Sequence, residues 1–495
     1  MAEQDQYARQ MKREGPVSLA TKYYYGIGSL PEILKELAFV SFLLFYYNQV
    51  LHLPAGLASL AIMLALIVDA VTDPIVGSLS DNLRTKLGRR HPLMYGSAIP
   101  LGLSLYLLFS PPEGLSDLSI FLWLAASAIS VRVAITFFQV PWLAFFAELT
   151  DDYEERTTIV KYRYAIGYIG GATFGFLVWT YIFPTTPEYS PGHLNPAGYE
   201  KFAIALGLIV FAAVLLSTHM TRREIPYLLQ PTGPSSSLTP FRVLKELWMT
   251  LKNKNFRTLF LAILIASAVM GTYKSLEIYL YTFFWELAPE SLRWLAFSAL
   301  GAVIAFAIAG PLQKRFDKRN VLIGGYLFIA ADGAFLIALR LLNVLPPNGS
   351  DILLVILVVN SILRIGAAAT VIIMFMSMLA DVADAIELET TKRQEGMVSA
   401  GFSFSQKVTT GVGTFFAGLI LQYIVAFPTN FGTDGLDDSM VVRLGVTVGA
   451  LVPALYALPI LIIARYSLTK EKHSRIKNKL EEKHKVKALS PSMSD

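Results

Sequence analysis

The sequence predicts an all-α membrane protein with about twelve transmembrane helices, arranged as two pseudo-symmetric six-helix bundles. This prediction rests on the composition, on the length of the apolar runs and on the distribution of basic residues among the loops. Of the 495 residues, 54% are hydrophobic and only 16% are charged, whereas soluble domains carry about 25% charged residues. A single buried core does not account for so many apolar residues, so we expect the chain to lie in lipid.

The apolar runs are long enough to cross a bilayer, whose hydrocarbon core is about 30 Å thick and takes roughly 20 apolar residues per helix. A polar connector containing Pro and Ser separates the runs into two groups of six. The predicted segments are an N-terminal bundle (1–218), a cytoplasmic linker (219–257), a C-terminal bundle (258–466) and a cytoplasmic tail (467–495). The predicted spans lie near residues 25–49, 55–80, 92–111, 118–148, 160–183, 199–218, 258–286, 291–312, 320–342, 350–380, 398–426 and 439–466.

Basic residues fall in every second loop, as they do when Lys and Arg mark the cytoplasmic side of a membrane. The intervening loops 51–56, 110–117 and 184–196 contain no Lys or Arg. A missed span would disturb this alternation, so we expect both termini to be cytoplasmic. The basic set comprises Arg9, Lys12, Arg13, Lys22, Arg84, Lys86, Arg89, Arg90, Arg222, Arg223, Arg242, Lys245, Lys314, Arg315, Lys318 and Arg319.

Several functional classes find no support in the sequence. Residues 1–16 are polar, and no apolar segment with a small-residue cleavage site follows them, so we expect no cleaved signal peptide. The absence of cysteine excludes disulfides, thiolate metal sites and cysteine nucleophiles. The six histidines form no H-E-x-x-H pattern, and there is no Gly-rich phosphate loop. We therefore predict no enzyme activity, no cofactor and no nucleic-acid partner.

Two loops at matching positions of the two halves resemble each other. Residues 77–90 read GSLSDNLRTKLGRR, and residues 310–319 read GPLQKRFDKR. This repeat resembles the loop signature of the major facilitator superfamily, which implies two six-helix bundles with a substrate site near the membrane midplane. The alternative for either loop alone is an ordinary basic cytoplasmic loop.

Asp69 and Asp73, the acidic pair, are the sharpest functional candidates. A charge at the centre of a span costs about 2.5 to 3.5 kcal/mol on insertion scales, so intramembrane charges normally face a cavity or a partner. The i, i+4 spacing places both carboxylates on one helical face, where they repel each other unless a cation or proton is bound. Thr72 is a candidate to add an oxygen ligand for Na⁺. The alternative is that the pair forms salt bridges with another span and locks a conformation.

Other intramembrane charges have two interpretations each. Arg163 either neutralises the acidic pair or binds a solute oxygen, and Trp142 either stacks on an apolar sugar face or packs against lipid. The direction of Arg132 is left open by the sequence. Lys407, in the middle of the eleventh predicted span, needs a carboxylate partner or a wet cavity, and the acidic pair is the expected partner.

Several motifs lie along nearly the whole chain, namely Tyr25-Gly26-Ile27-Gly28, DAVTDPIVG at 69–77, VPW at 140–142, LTDDYEERT at 149–157, LADVAD at 379–384, RQEG at 393–396, and Lys407. Together they resemble the motifs of the glycoside-pentoside-hexuronide:cation symporters. The resemblance implies symport coupled to Na⁺ or H⁺, with Asp69, Asp73 and Thr136 as cation ligands. It also places Arg163 and Lys407 in the wall of a central cavity.

The sugar-binding positions depart from the family pattern. An acidic residue of the family's first span falls here on Ile33, and another in the fourth span falls on Gln139. Glu32 is a substitute carboxylate. The alternative is ion pairing, either within its own helix or with another helix, because Glu32, Lys35 and Glu36 lie along one helical stripe. The expected solute is a sugar, glycoside or uronide, and its expected contacts are Glu32, Gln139, Trp142, Arg163 and Lys407.

A lipid substrate is the main alternative. The chain's DAVTDP segment resembles that of the animal lysophosphatidylcholine symporters, which likewise lack those sugar carboxylates, so a lysophospholipid or other amphipathic lipid is a second candidate. In either case we expect a monomer in a bacterial inner membrane. Charged residues near the cytoplasmic face are expected to gate the transporter, namely Asp81, Arg89, Arg90, Asp381 and Arg393.

Overall fold

The computed structural model confirms the all-α prediction, with the addition of one small sheet. Strands β1 (Tyr7–Arg9) and β2 (Leu229–Pro231) pair antiparallel, with Ala8 opposite Gln230. The structure describes residues 7–9, 11, 13–231, 251–390, 405, 407, 411–429 and 436–489.

Helices cover the six spans predicted in the first half of the sequence. The first of these spans is interrupted, because its helix breaks between Ile27 and Leu30 and continues through two π-helical stretches, Ala38–Leu43 and Tyr46–Val50. The helices are α1 (Leu19–Ile27), α2 (Leu30–Leu37), α3 (Ala55–Asn82), α4 (His91–Leu108), α5 (Asp117–Leu149), α6 (Tyr153–Leu177) and α7 (Pro196–Thr221).

The described part of the second half is also helical at each predicted span. The helices are α8 (Lys254–Tyr279), α9 (Pro289–Leu292), α10 (Ala299–Arg315), α11 (Lys318–Leu341), α12 (Asp351–Thr390), α13 (Gly411–Val425), α14 (Asp438–Val446), α15 (Val452–Ala454), α16 (Ala457–Ile463) and, in the tail, α17 (Lys470–Leu489).

Nine helical segments among the described residues are long and apolar enough to cross a membrane, and the shorter α13 is also apolar. The remaining two predicted spans correspond to the interrupted first span and to α4. Helix boundaries follow local signals. The Ser116 side chain accepts a bond from the Ser119 backbone N–H at the start of α5, and Asp152 does the same for Glu155 at the start of α6.

Matching glycine pairs let the third and sixth spans of each half approach closely. A Cβ on Gly102 of α4 would lie 3.0 Å from the carbonyl oxygen of Gly207 in α7. In the second half, a Cβ on Gly333 of α11 would collide with the carbonyl oxygen of Gly449. Small residues permit such backbone contact in membrane helices. The same crossing in both halves supports the internal repeat that the loops indicate.

The residues cluster into two compact units by contact. The first unit contains Met1–Arg242, Lys274–Ala296 and Thr410–Val441. The second contains Val243–Tyr273, Phe297–Thr409 and Val442–Asp495. Parts of the seventh and eleventh predicted spans thus group with the first half of the sequence. The six-plus-six division with its boundaries at 218, 257 and 466 stays a prediction.

Within the first unit, hydrogen bonds join segments that are far apart in the sequence. Gly56 is the second residue of α3, and its backbone N–H donates to Gln422 Oε1 of α13 over 2.7 Å. The Tyr279 hydroxyl donates to Asn48 Oδ1 over 3.1 Å. These bonds attach the end of α13 to the start of α3, and the end of α8 to the π-helical stretch Tyr46–Val50.

Candidate cation and solute site

The acidic pair lies on α3 and faces α5, which packs along it. Asp69 is 3% exposed, and Asp73, one turn further along the helix, is half-buried. Thr136 of α5 is also buried. Its hydroxyl oxygen lies 3.0 Å from Asp69 Oδ1 and 3.1 Å from Asp73 Oδ1. A hydroxyl has one proton, so Thr136 donates to only one of the two carboxylates at a time.

The donor set at this point is two carboxylate oxygens and one hydroxyl oxygen. Hard monovalent cations prefer such oxygen ligands, by analogy with other hard cations. Among the described residues, no group of three or more His, Cys, Asp or Glu is placed to hold a metal ion. The Thr72 hydroxyl donates to the backbone carbonyl of Asp69 over 3.1 Å, so it is directed along its own helix.

Arg132 completes the group, which we call the cation cluster (Asp69, Asp73, Arg132 and Thr136). Its Nη1 atom lies 3.5 Å from Asp69 Oδ2, and the side chain is fully buried. The guanidinium also lies over the ring of Phe39, 5.0 Å from the ring centroid. The sequence left the direction of Arg132 open, although its position one turn before Thr136 is a signal that both lie on the same face of α5.

The charges of the first span are paired with each other. Lys35 Nζ lies 2.9 Å from Glu32 Oε2 and 3.1 Å from Glu36 Oε1. Of the two kinds of pairing that the sequence left open for Glu32, within its own helix or with another helix, the structure shows the pairing within the helix. A contact between Glu32 and a solute stays a prediction.

Trp142 is covered in this structure. The ring of Tyr25 stacks on it with centroids 4.6 Å apart, and the Trp142 indole N–H donates to the Tyr25 carbonyl over 3.2 Å. The guanidinium of Arg163, which is half-buried on α6, lies 4.9 Å from the Trp142 ring centroid. Trp142 is 1% exposed and packs against protein groups, so it does not face lipid as the sequence's alternative had it, and its contact with a sugar stays a prediction. The sequence did not single out Tyr25 as the residue that covers it.

The remaining predicted solute contacts are Gln139 and Lys407. Gln139 of α5 is half-buried, one turn beyond Thr136 in the helix. Lys407 is half-buried and belongs to the second unit. Its expected pairing with the acidic pair stays a prediction.

The predicted gating residues of the first half form a second buried group, the arginine cluster (Asp81, Arg89, Arg90 and Glu148). Glu148 Oε1 accepts hydrogen bonds from Arg89 Nη2 over 2.7 Å and from Arg90 Nη2 over 2.9 Å. Arg90 Nη1 also lies 2.7 Å from Asp81 Oδ1 and donates to Ser80 over 2.9 Å. The cluster ties the end of α3 to the end of α5. The sequence predicted its arginines, whereas Glu148 was noted only as one of the charges of the fourth span.

A smaller ion pair occupies the matching position in the second half. Lys318, at the start of α11, donates to Asp381 Oδ2 over 2.6 Å. His473 of the tail helix α17 lies 2.9 Å from Asp384 Oδ2 on α12. Arg393, the remaining predicted gating residue, lies outside the described residues.

Comparison with known families decides the class of the protein. The profile of the family described as MFS/sugar transport protein matches residues 24–470, which is most of the chain. The chain belongs to this family. It is therefore an integral membrane protein of the major facilitator fold, and the resemblance noted in the sequence to sugar and cation symporters is confirmed.

Curated relatives are distant but cover most of the chain. The inner membrane symporter YicJ of Escherichia coli is 22% identical, over 92% of this chain and 93% of the relative. The isoprimeverose transporter of Lactiplantibacillus pentosus is 25% identical, over 77% of this chain and 75% of the relative. The sphingosine-1-phosphate transporter MFSD2B of Mus musculus is 25% identical, over 63% of this chain and 64% of the relative.

Solved structures agree with the fold. The crystal structure of the nucleoside transporter NupG matches with a TM-score of 0.60 and 12% identity, covering 91% of this chain and 100% of that one. The xylose transporter XylE from E. coli in its inward open conformation matches with a TM-score of 0.52 and 11% identity, over 93% of this chain and 97% of that one. At such identities the likeness concerns the fold alone.

Proposed function

We propose that this protein is a symporter that couples the movement of Na⁺ or H⁺ to that of a sugar or glycoside-like solute. The observation that carries the proposal is the shared contact of Asp69 and Asp73 with the Thr136 hydroxyl. Two carboxylates that share one hydroxyl, one of them buried and the other half-buried, repel each other, and binding of a cation or proton relieves that repulsion. The family assignment and the names of the symporter relatives support the same reading.

The proposed mechanism is alternating access. A cation binds the oxygens of Asp69, Asp73 and Thr136, and a polar solute binds in the cavity that Gln139 and Arg163 are predicted to line. Cation and solute each favour the same state of the cavity, so each raises the affinity for the other. The two halves of the transporter then rock about the loaded site, as in other transporters built from repeats.

The contacts in the structure support the predicted solute-binding residues to different degrees. Arg163 is the strongest candidate, because its guanidinium is half-buried and rests on Trp142 without a carboxylate partner in the described structure. We propose that Trp142 and Tyr25 form the wall that holds Arg163. Glu32 enters solute binding only if its pair with Lys35 opens, and Lys407 stays a proposed solute contact.

The arginine cluster is proposed to act in gating and not in binding. Its ion pairs tie α3 to α5 at the end of both helices that the basic loops predict to be cytoplasmic. We propose the same role for the Lys318–Asp381 pair in the second half. We further propose that the protein acts as a monomer in a bacterial inner membrane, with both termini in the cytoplasm.

A lipid substrate is the second candidate, and it is favoured by the likeness to the mouse sphingosine-1-phosphate transporter. The first experiment separates the two. Thermal unfolding of the purified protein is recorded with glycosides, uronides and lysophospholipids, each with and without NaCl at constant ionic strength. We expect one sugar class to raise the unfolding temperature, and a response to lysophospholipids alone would assign the lipid alternative.

The role of the acidic pair is tested by transport. In proteoliposomes carrying an imposed Na⁺ or H⁺ gradient, we expect Asp73→Asn to abolish uphill accumulation of the stabilising solute while leaving expression and insertion intact. The matched control is Asp117→Asn, the same substitution at an exposed position at the start of α5. Uphill uptake by Asp73→Asn at the level of the control would disprove the proposed cation site.

A further inference from the structure

Arg132 is a buried charge with few bonds. Its nearest acidic atom, Asp69 Oδ2, is 3.5 Å from Nη1, which is long for a charge-assisted hydrogen bond. Its Nε and Nη2 atoms are buried and have no hydrogen-bond partner among the described residues. A guanidinium has five N–H donors, so most of the bonding capacity of Arg132 is unused. Electrostatic attraction therefore holds the Arg132 side chain in place more than hydrogen bonds do.

The charged groups around Asp69 show that Arg132 compensates the negative charge of this carboxylate. Lys35 also lies within electrostatic reach of Asp69, but Glu32 and Glu36 already bracket its ammonium group. The Arg132 guanidinium contacts Asp69 directly, with Nη1 3.5 Å from Oδ2. A guanidinium stays charged at any physiological pH. Arg132 thus supplies a positive charge at the carboxylate where a coupling cation is proposed to bind.

We propose that Arg132 is a resident counter-ion of the cation cluster, which competes with the coupling cation for Asp69 and so sets the affinity of the site for that cation. The inference rests on the proposed function, because it takes the acidic pair to be the cation site. Like charges in one buried site repel each other, so Asp69 binds Na⁺ less tightly while the guanidinium of Arg132 is in contact with it.

The surroundings of Arg132 allow this exchange. The ring of Phe39 lies 5.0 Å from the guanidinium carbon and offers a face to a cation that moves off the carboxylate. A single long contact to Asp69 is easier to release than the short bonds that hold Arg89 and Arg90 to Glu148. Thr136 and Asp73 remain in place to receive the incoming cation.

The test measures cation binding directly on the purified, full-length protein without solute. Calorimetric titration and thermal unfolding are carried out with NaCl and with LiCl against N-methyl-D-glucamine chloride at constant ionic strength. We expect Arg132→Met to bind Na⁺ at least about tenfold more tightly than the wild type. We expect Arg132→Lys, which keeps the charge, to remain close to the wild type.

Two further variants localise the effect. Lys161→Met removes an equal charge from an exposed position on α6 and is expected to leave Na⁺ affinity unchanged. The double variant Arg132→Met with Asp73→Asn is expected to lose the gain, because the added affinity needs both carboxylates. If Arg132→Met does not fold, Arg132→Gln removes the same charge with a polar side chain and carries the same expectation.

Equal or weaker Na⁺ binding by the charge-removing Arg132 variant, or an equal gain in Lys161→Met, would overturn the counter-ion proposal. The symport function is judged separately by gradient-driven uptake. Cation-driven uptake that Asp73→Asn abolishes, together with no affinity gain in Arg132→Met, leaves the symporter and removes the counter-ion. Uptake that no cation gradient drives removes the proposed function itself.

Discussion

The cation cluster and the arginine cluster join the same two helices, α3 and α5, and both are buried, yet their bonding differs. In the arginine cluster, Glu148 Oε1 accepts bonds of 2.7 and 2.9 Å from two arginines. In the cation cluster, Arg132 reaches Asp69 only at 3.5 Å. The shorter, more numerous bonds resist exchange, whereas the longer contact leaves room for another cation.

This difference shows how one pair of helices serves two purposes. Tight ion pairs at the helix ends hold α3 against α5, because removing one partner would leave a buried charge uncompensated. We propose that the long contact of Arg132 with Asp69 at mid-span lets the site respond to an ion, since this contact is easier to release than a short ion pair. We therefore expect stability to depend on the arginine cluster and ion affinity to depend on the cation cluster.

The largest effect is expected from Glu148→Gln. The substitution removes the carboxylate that faces Arg89 and Arg90 and leaves buried positive charge, which typically costs about 3 to 5 kcal/mol. We expect a clear fall in the unfolding temperature of the purified protein. Glu154→Gln, at an exposed position on α6, is the control. If both variants unfold at the wild-type temperature, the arginine cluster does not hold the helices together.

A third buried polar group, which lies outside both clusters, is expected to make the stability of the protein depend on pH. His193, in the loop before α7, is fully buried, and its Nε2 lies 2.8 Å from the Thr282 hydroxyl oxygen. Burial lowers the pKa of His193 to about 3. The unfolded chain therefore binds a proton that the folded protein does not, below about pH 6.5.

We expect His193 to have its full stabilising effect, in its neutral form, above pH 6.5. As the pH falls towards 3, we expect the free energy of unfolding to decrease, by about 2 kcal/mol at pH 5. The measurement is the unfolding temperature between pH 7.5 and 5 for the wild type and for His193→Gln, with exposed His219→Gln as the control. A slope in His193→Gln as steep as in the wild type would place the acid-sensitive group elsewhere.

The smallest effect compares two hydroxyls, one in each cluster. Thr136→Val removes the hydroxyl between the two carboxylates, and we expect about a tenfold loss of cation affinity, or roughly 1.4 kcal/mol, with little change in stability. Ser80→Ala removes the hydroxyl that accepts from Arg90, and we expect the stability to fall by about 1 kcal/mol with cation affinity unchanged. Both are measured by titration and thermal unfolding, and equal effects of the two variants on both readouts would erase the distinction between the clusters.

The sequence alone predicted the membrane class, the helical spans and the face that Asp69 and Asp73 share. These predictions succeed because they depend on local quantities. A bilayer requires long apolar runs, each intramembrane charge carries a cost, and helical periodicity places residues i and i+4 together. The family resemblance added Thr136, and the structure brings its hydroxyl to both carboxylates.

Only the tertiary structure decided which charges meet. It brought Arg132 to Asp69, placed Tyr25 over Trp142 and set Glu148 between two arginines. Such contacts depend on how each helix is rotated against its neighbours, and that rotation is fixed by side-chain packing along the whole interface. The local pattern of charges determines which residues need a partner in the membrane, whereas the packing of α3 against α5 determines which partner each one has.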